Sequence, residues 1–226
     1  MQEARDATRF RDLTLAEFVD RLASSEPVPG GGSAAAVAAS FGAALVTMVA
    51  SLSQDRERYA AHEAMLHDAA AAGRALAARF LDLADADARA YGAYAAALKQ
   101  PRDTDAERAT RTAAIGASAR AAAEVPLDTL RACLELVVAA ERLAGRSNVN
   151  ASSDVSVAAL LADACARAAG ANVLINLPAT DDPHWAQDTA EIVVQLQAAV
   201  EDLALMTREA VGSGRPRDPI PPVDGE

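Results

Sequence analysis

The stretch SAAAVAASFGAALVTMVASLS, residues 33–53, carries no charge over a length close to the ~20 residues that span a bilayer. It is rich in Ala and Ser and poor in Leu and Phe, and Glu26 and Asp55 flank it instead of a basic cluster, so transfer into lipid gains little. A helix that is apolar on every side and stays out of a membrane must be covered by other helices. The segment therefore predicts a buried core helix and a multihelical, all-α bundle packed around it.

Composition points the same way. Hydrophobic residues make up 51% of the 226 residues but aromatics only 4%, so alanine supplies much of the apolar surface and helix backbones can approach closely. One domain suits this length. A net charge of −11, with 21 Lys and Arg scattered among 32 Asp and Glu, speaks against a nucleic-acid partner, which requires a basic face. Cys133 and Cys165 form no CxxC pair and fall in helical patterns, as two small core residues of a reduced compartment. MQEARDATRF at the N-terminus has no apolar h-region, so a cytoplasmic location is expected and no membrane partner.

Moving outward, residues 1–12 form an arm, 13–211 the helical domain, and 212–226 a Pro/Gly-rich tail expected to be mobile. Thr14 and Glu17 make a capping box, as do Thr104 and Glu107. PVPGGGSAAA, residues 27–36, separates the first helix from the core helix, with Ser33 placed as the cap. A long helical pattern covers about 56–98, with a possible bend at Gly73. The next runs from 104 to about 124, where Val125-Pro126 should break the chain and Pro126 should open a new helix reaching Ala144. A helix over 154–169 precedes GANVLINL, residues 170–177, whose β-branched content permits a strand, although helix is favoured for want of a partner strand. The last helix spans about 185–211.

Within the long helix, Leu76, Phe80, Leu83, Tyr91, Tyr94 and Leu98 form an apolar stripe at steps of three or four, and Asp87 fills the gap in that series. Desolvation of such a carboxyl raises its pKa towards the range useful for proton transfer, which makes Asp87 the first catalytic candidate. The alternative is a buried Asp satisfied by Tyr or Asn neighbours. Asp85 points the other way, four residues before Arg89, as expected of a surface ion pair. Asn172 and Asn176 share a helical face inside an apolar run, so they either brace the core or read the edge of a polar ring. SNVNASSD, residues 147–154, looks first like helix capping. His62 and His67 are five apart, not the four that place two ligands on one face, and no metal site is expected. GGGSAAA lacks the GK[ST] of a phosphate loop.

Three segments, FVDRLASSEPVPGGGSAAAVAASFGAALVTMVASLS, LADADARAYGAYAAALKQPR and SNVNASSDVSVAALLADACARAAGANVLINL, together resemble, in order, the formiminotransferase-cyclodeaminase C-terminal domain family over about residues 13–211. The resemblance implies a multihelical homodimer acting on one-carbon adducts of tetrahydrofolate, with no cofactor beyond that substrate. It also implies that the second Asp of the DxDA segment, here Asp87, is the acid/base, the residue the stripe selects independently. Gly31, Gly32 and Ser33 would border the folate, Asn148 and Asp154 would help form the pocket, and Asn172 and Asn176 would contact or support the pterin. Arg102 stands where the family often shows a lysine and would anchor the glutamate tail. Gln54-Asp-Arg-Glu-Arg-Tyr59 departs from the family's basic run, keeping Arg56 and Arg58 amid two acids, and the resemblance implies that Arg56 would still contact the folate. The expected activity is methenyltetrahydrofolate cyclohydrolase, favoured modestly because no formiminotransferase domain is fused. Formiminotetrahydrofolate cyclodeaminase is the nearest alternative, and a non-catalytic folate-binding or structural dimer the more distant one.

Overall fold

The structure, a computed structural model, describes residues 9–215. Six α-helices account for the bundle: α1 (Leu15–Leu22), α2 (Gly31–Ser51), α3 (Glu63–Leu98), α4 (Asp105–Leu143), α5 (Ser152–Asn176) and α6 (Pro183–Ser213), with no strand among the described residues. Both capping boxes are present: Thr14 and Glu17 close the start of α1, and Thr104 and Glu107 that of α4. Residues 170–176 of GANVLINL form the last two turns of α5, and Leu177 opens a short 3-10 helix, Leu177–Ala179.

The uncharged segment becomes α2, which packs against α3, α4 and α5. Alanine makes this possible. Ala39, Ala43, Val46 and Val49 of α2 are buried against a core that includes Phe80, Leu130, Leu136 and Val155. At the α2–α3 crossing Gly73 is the contact point, since a Cβ there would lie 2.4 Å from Thr47 Oγ1 and 2.8 Å from the Ala43 carbonyl. The glycine serves this close approach, and α3 runs on through it as one helix. By length and composition alone, α2 and the segment Val149–Ala179 are each apolar enough to cross a membrane.

Three expectations are corrected. The chain does not break at Val125-Pro126: α4 continues through Pro126, because packing on α5 and α6 outweighs the one hydrogen bond lost. Ser33 does not cap α2. Gly30 is the N-cap, and Ser33, buried one turn inside, bonds to α3 instead. Asp85 forms no surface pair with Arg89; it is 7% exposed, accepts from the Phe10 amide at 2.8 Å and meets Arg9 Nε at 3.4 Å. Arg9–Asp12 thus lie over α3, held also by Arg11 on Asp82 at 2.7 Å. Of the expected terminal segments, 1–8 and 216–226 lie outside the described residues, while α6 takes Gly212 and Ser213.

Candidate active site

The start of α2, the middle of α3 and the end of α5 enclose a cavity of about 420 Å³, within the range of small-ligand sites. Asp87 stands on its wall. The α3 stripe explains why: Leu76 and Phe80 are sealed in the core, and four and seven residues beyond Asp87 the same face carries Tyr91 and Tyr94 into the cavity. A stripe that is core at one end becomes binding surface at the other. Asn172 and Asn176 form the opposing wall from α5.

Asp87 is bound to the first turn of α2. Ser33 Oγ lies 2.9 Å from Asp87 Oδ2 and 3.1 Å from the Ala84 carbonyl. One hydroxyl has one proton to donate. Facing an ionised Asp87, Ser33 donates to the carboxylate; facing the protonated acid, it can turn to Ala84 and accept. Both charge states of Asp87 therefore find a partner. Burial pushes the Asp87 carboxyl above the usual carboxylate range, while the Ser33 hydroxyl and the Ser33 amide pull it partly back. The positive end of α2 acts in the same downward sense.

The glycines now separate. A Cβ on Gly32 would sit 2.3 Å from Asp87 Oδ1, so Gly32 is what lets the carboxyl reach the helix start. A Cβ on Gly31 would meet nothing within 4 Å, and Gly31 lines the cavity, so that position is open to a ligand. The two asparagines are braced in part: Asn172 Nδ2 bonds the Ala168 carbonyl at 3.2 Å, and Asn176 Nδ2 bonds Ala122 and Asn172 carbonyls at 3.0 and 2.8 Å.

Of the residues expected near a folate, the cavity brings together Gly31, Gly32, Asp87, Asn172 and Asn176, with Ser33 directly behind. It does not include the other four. Asn148 donates its backbone N–H to Ser53 Oγ at 2.8 Å, at the opposite end of α2, about 30 Å from Ser33 at 1.5 Å per residue. Asp154 lies in the first turn of α5 at that same end, and Arg56 is exposed just past α2. A second cavity of about 230 Å³ is found there, between Arg58, Tyr59, Arg146 and Ser152. Arg102 is exposed in the turn after α3, more than three helical turns beyond Asp87.

Sequence reasoning assigned no site role to Tyr91, Tyr94 or Ile175. Their spacing held the signal: Tyr91 and Tyr94 follow Asp87 at helical steps, and Ile175, 76% exposed at the cavity rim, is three residues past Asn172. Among the described residues, no group of three or more His, Cys, Asp or Glu is placed to hold a metal. Cys133 and Cys165 are buried free thiols, with Cys165 pushed up to about 11 by burial and Cys133 further still.

Comparison with known proteins gives the chain a family. Residues 14–195 match the family model described as formiminotransferase-cyclodeaminase. A methenyltetrahydrofolate cyclohydrolase of Methylorubrum extorquens is 38% identical over 175 residues, which cover 77% of this chain and 84% of that protein. The formimidoyltransferase-cyclodeaminase of Sus scrofa is 37% identical over 193 residues, 85% of this chain but 36% of that longer protein. The crystal structure of a formiminotetrahydrofolate cyclodeaminase from Thermotoga maritima superposes with a TM-score of 0.81 at 28% identity, covering 90% of this chain and 98% of that one. An all-α bundle with a carboxyl held at the start of its core helix, matched over most of its length by these relatives, belongs to the formiminotransferase-cyclodeaminase family.

Proposed function

We propose that the protein hydrolyses 5,10-methenyltetrahydrofolate to 10-formyltetrahydrofolate, with Asp87 as the proton carrier. The observation that carries this reading is the Asp87 carboxyl, raised in pKa and hydrogen-bonded by Ser33 on the wall of a cavity of suitable size. Similarity to the Methylorubrum enzyme over most of both chains supports the choice of reaction.

The methenyl carbon bridges two nitrogens and carries iminium character, so it is already electrophilic. Ionised Asp87 takes a proton from a water as its oxygen bonds to that carbon. The protonated acid then returns the proton to N5 as the carbon–N5 bond breaks, and the remaining hydroxyl proton leaves to give the formyl group on N10. One proton is released overall. Positioning and proton transfer are the protein's contribution, and this chemistry needs no group beyond the substrate. Tyr91 and Tyr94 offer ring faces to the pterin, and Gly31 lets it approach the α2 amides.

The cyclodeaminase reading rests on the Thermotoga neighbour and uses the same acid in the opposite sense, to protonate the departing ammonia. Incubating the protein separately with methenyl- and formiminotetrahydrofolate, while following the methenyl absorbance, separates the two. Accelerated loss supports hydrolysis; appearance of absorbance with ammonia replaces that reading by ring closure. If folates bind and neither reaction is accelerated, the enzyme assignment fails.

We further propose a homodimer. Phe41, Leu45, Met48 and Leu52 follow one face of α2 at steps of four, three and four, and Phe41, Met48 and Leu52 remain 48%, 39% and 41% exposed. An apolar stripe on an uncharged core helix is suited to a second copy.

A further inference from the structure

Pro126 lies inside α4 and has no N–H, so the Ala122 carbonyl four residues earlier has no helical partner. The proline ring also crowds that carbonyl and turns it out of the helix. Asn176, at the end of α5, takes it through Nδ2 at 3.0 Å, and directs its other amide hydrogen to the Asn172 carbonyl at 2.8 Å. Both acceptors are carbonyls, which cannot donate. The amide therefore has one orientation, nitrogen towards the two helices and oxygen away from them. Ala122, Asn172 and Asn176 all border the Asp87 cavity. Among the described residues no donor reaches the Asn176 oxygen, which is not buried and belongs to a residue that lines the cavity.

We infer that Pro126 is a positioning residue for the site. By removing one hydrogen bond from α4 it clamps the Asn176 amide, whose oxygen then accepts from an N–H donor edge of the substrate's heterocycle and sets the ring's orientation relative to Asp87. The clamp stands on geometry alone; the identity of the ring rests on the folate reading above.

The experiment compares the parent with Pro126→Ala, Asn176→Ala and the double variant. Alanine at 126 restores the helical bond to Ala122 and releases Asn176. Expected for Pro126→Ala are a Tm equal to or above the parent's, faster exchange of the Asn176 side-chain amide protons by NMR, and a KM for methenyltetrahydrofolate raised about tenfold, the weight of one hydrogen bond, with kcat little changed. The double variant should be no worse than Asn176→Ala, because both changes remove one interaction. Unchanged amide exchange in Pro126→Ala overturns the clamp, whatever the activity. Changed exchange with parental KM, or strictly additive effects, overturns its role in binding, and a joint fall of kcat and Tm makes the proline structural. If the parent turns over no folate, the functional reading fails, and the exchange measurement still decides whether the clamp exists.

Discussion

Asp87 is set between burial, which favours its neutral form, and Ser33, which favours its charged form. That balance has a measurable direction. Hydrolysis requires the ionised carboxylate, so the rate rises with pH through the Asp87 pKa. Ser33→Ala removes a contact that lowers this pKa, and the acid limb of the pH–rate profile should move to higher pH with a lower plateau. A limb that stays in place would show that Ser33 only packs. Much of this residue was legible beforehand, because a carboxyl in a gap of an apolar stripe is conspicuous. Spacing offers Ser33 only as a cap, and the family resemblance only as a folate neighbour, whereas Gly30 serves as N-cap and the Ser33 hydroxyl reaches across to α3. Asp85 shows the same limit, since its partners Arg9 and Phe10 lie some 75 positions away in sequence, beyond any helical spacing rule.

At the scale of helices, the bundle depends on small residues where α2 and α3 cross. Two glycines of α3 give a direct contrast. Gly73 faces Thr47 and the Ala43 backbone at distances no Cβ tolerates, whereas Gly92 faces open space. Gly73→Ala should destabilise by about 1–3 kcal/mol through overpacking. Gly92→Ala should stabilise by about 0.5–1 kcal/mol, the gain in helix propensity. Chemical denaturation of both variants checks this, and equal effects would contradict the crossing described. Capping boxes and the uncharged core helix were readable because they are local patterns. The continuity of α4 was not, since local rules end a helix at Val125-Pro126 and the compensating contacts come from α5 and α6. The tertiary partner overrode the local signal.

Across the whole molecule, most residues expected at one folate site fall into two groups about 30 Å apart along α2, and Arg102 lies apart from both, past the end of α3. Sequence order alone could not separate them, because α5 begins at one end of the bundle and finishes at the other, so neighbouring motifs are carried to opposite poles. The exposed stripe of α2 belongs to this scale too. Phe41→Arg with Met48→Arg should convert a homodimer into a monomer by sedimentation, through two buried like charges across the interface. A parent sedimenting at its chain mass of 23.3 kDa would remove the dimer.

Whether Asp87 moves the proton is read from the turnover of methenyltetrahydrofolate by Asp87→Asn. Asparagine keeps the size of the side chain and can still bond Ser33, but it cannot take a proton from water. Expected are folding and folate binding close to the parent's, with kcat reduced about 10²–10⁴-fold, the usual weight of a general acid/base. An Asp87→Asn protein that folds, binds and hydrolyses the substrate at the parent's rate would mean that another group moves the proton.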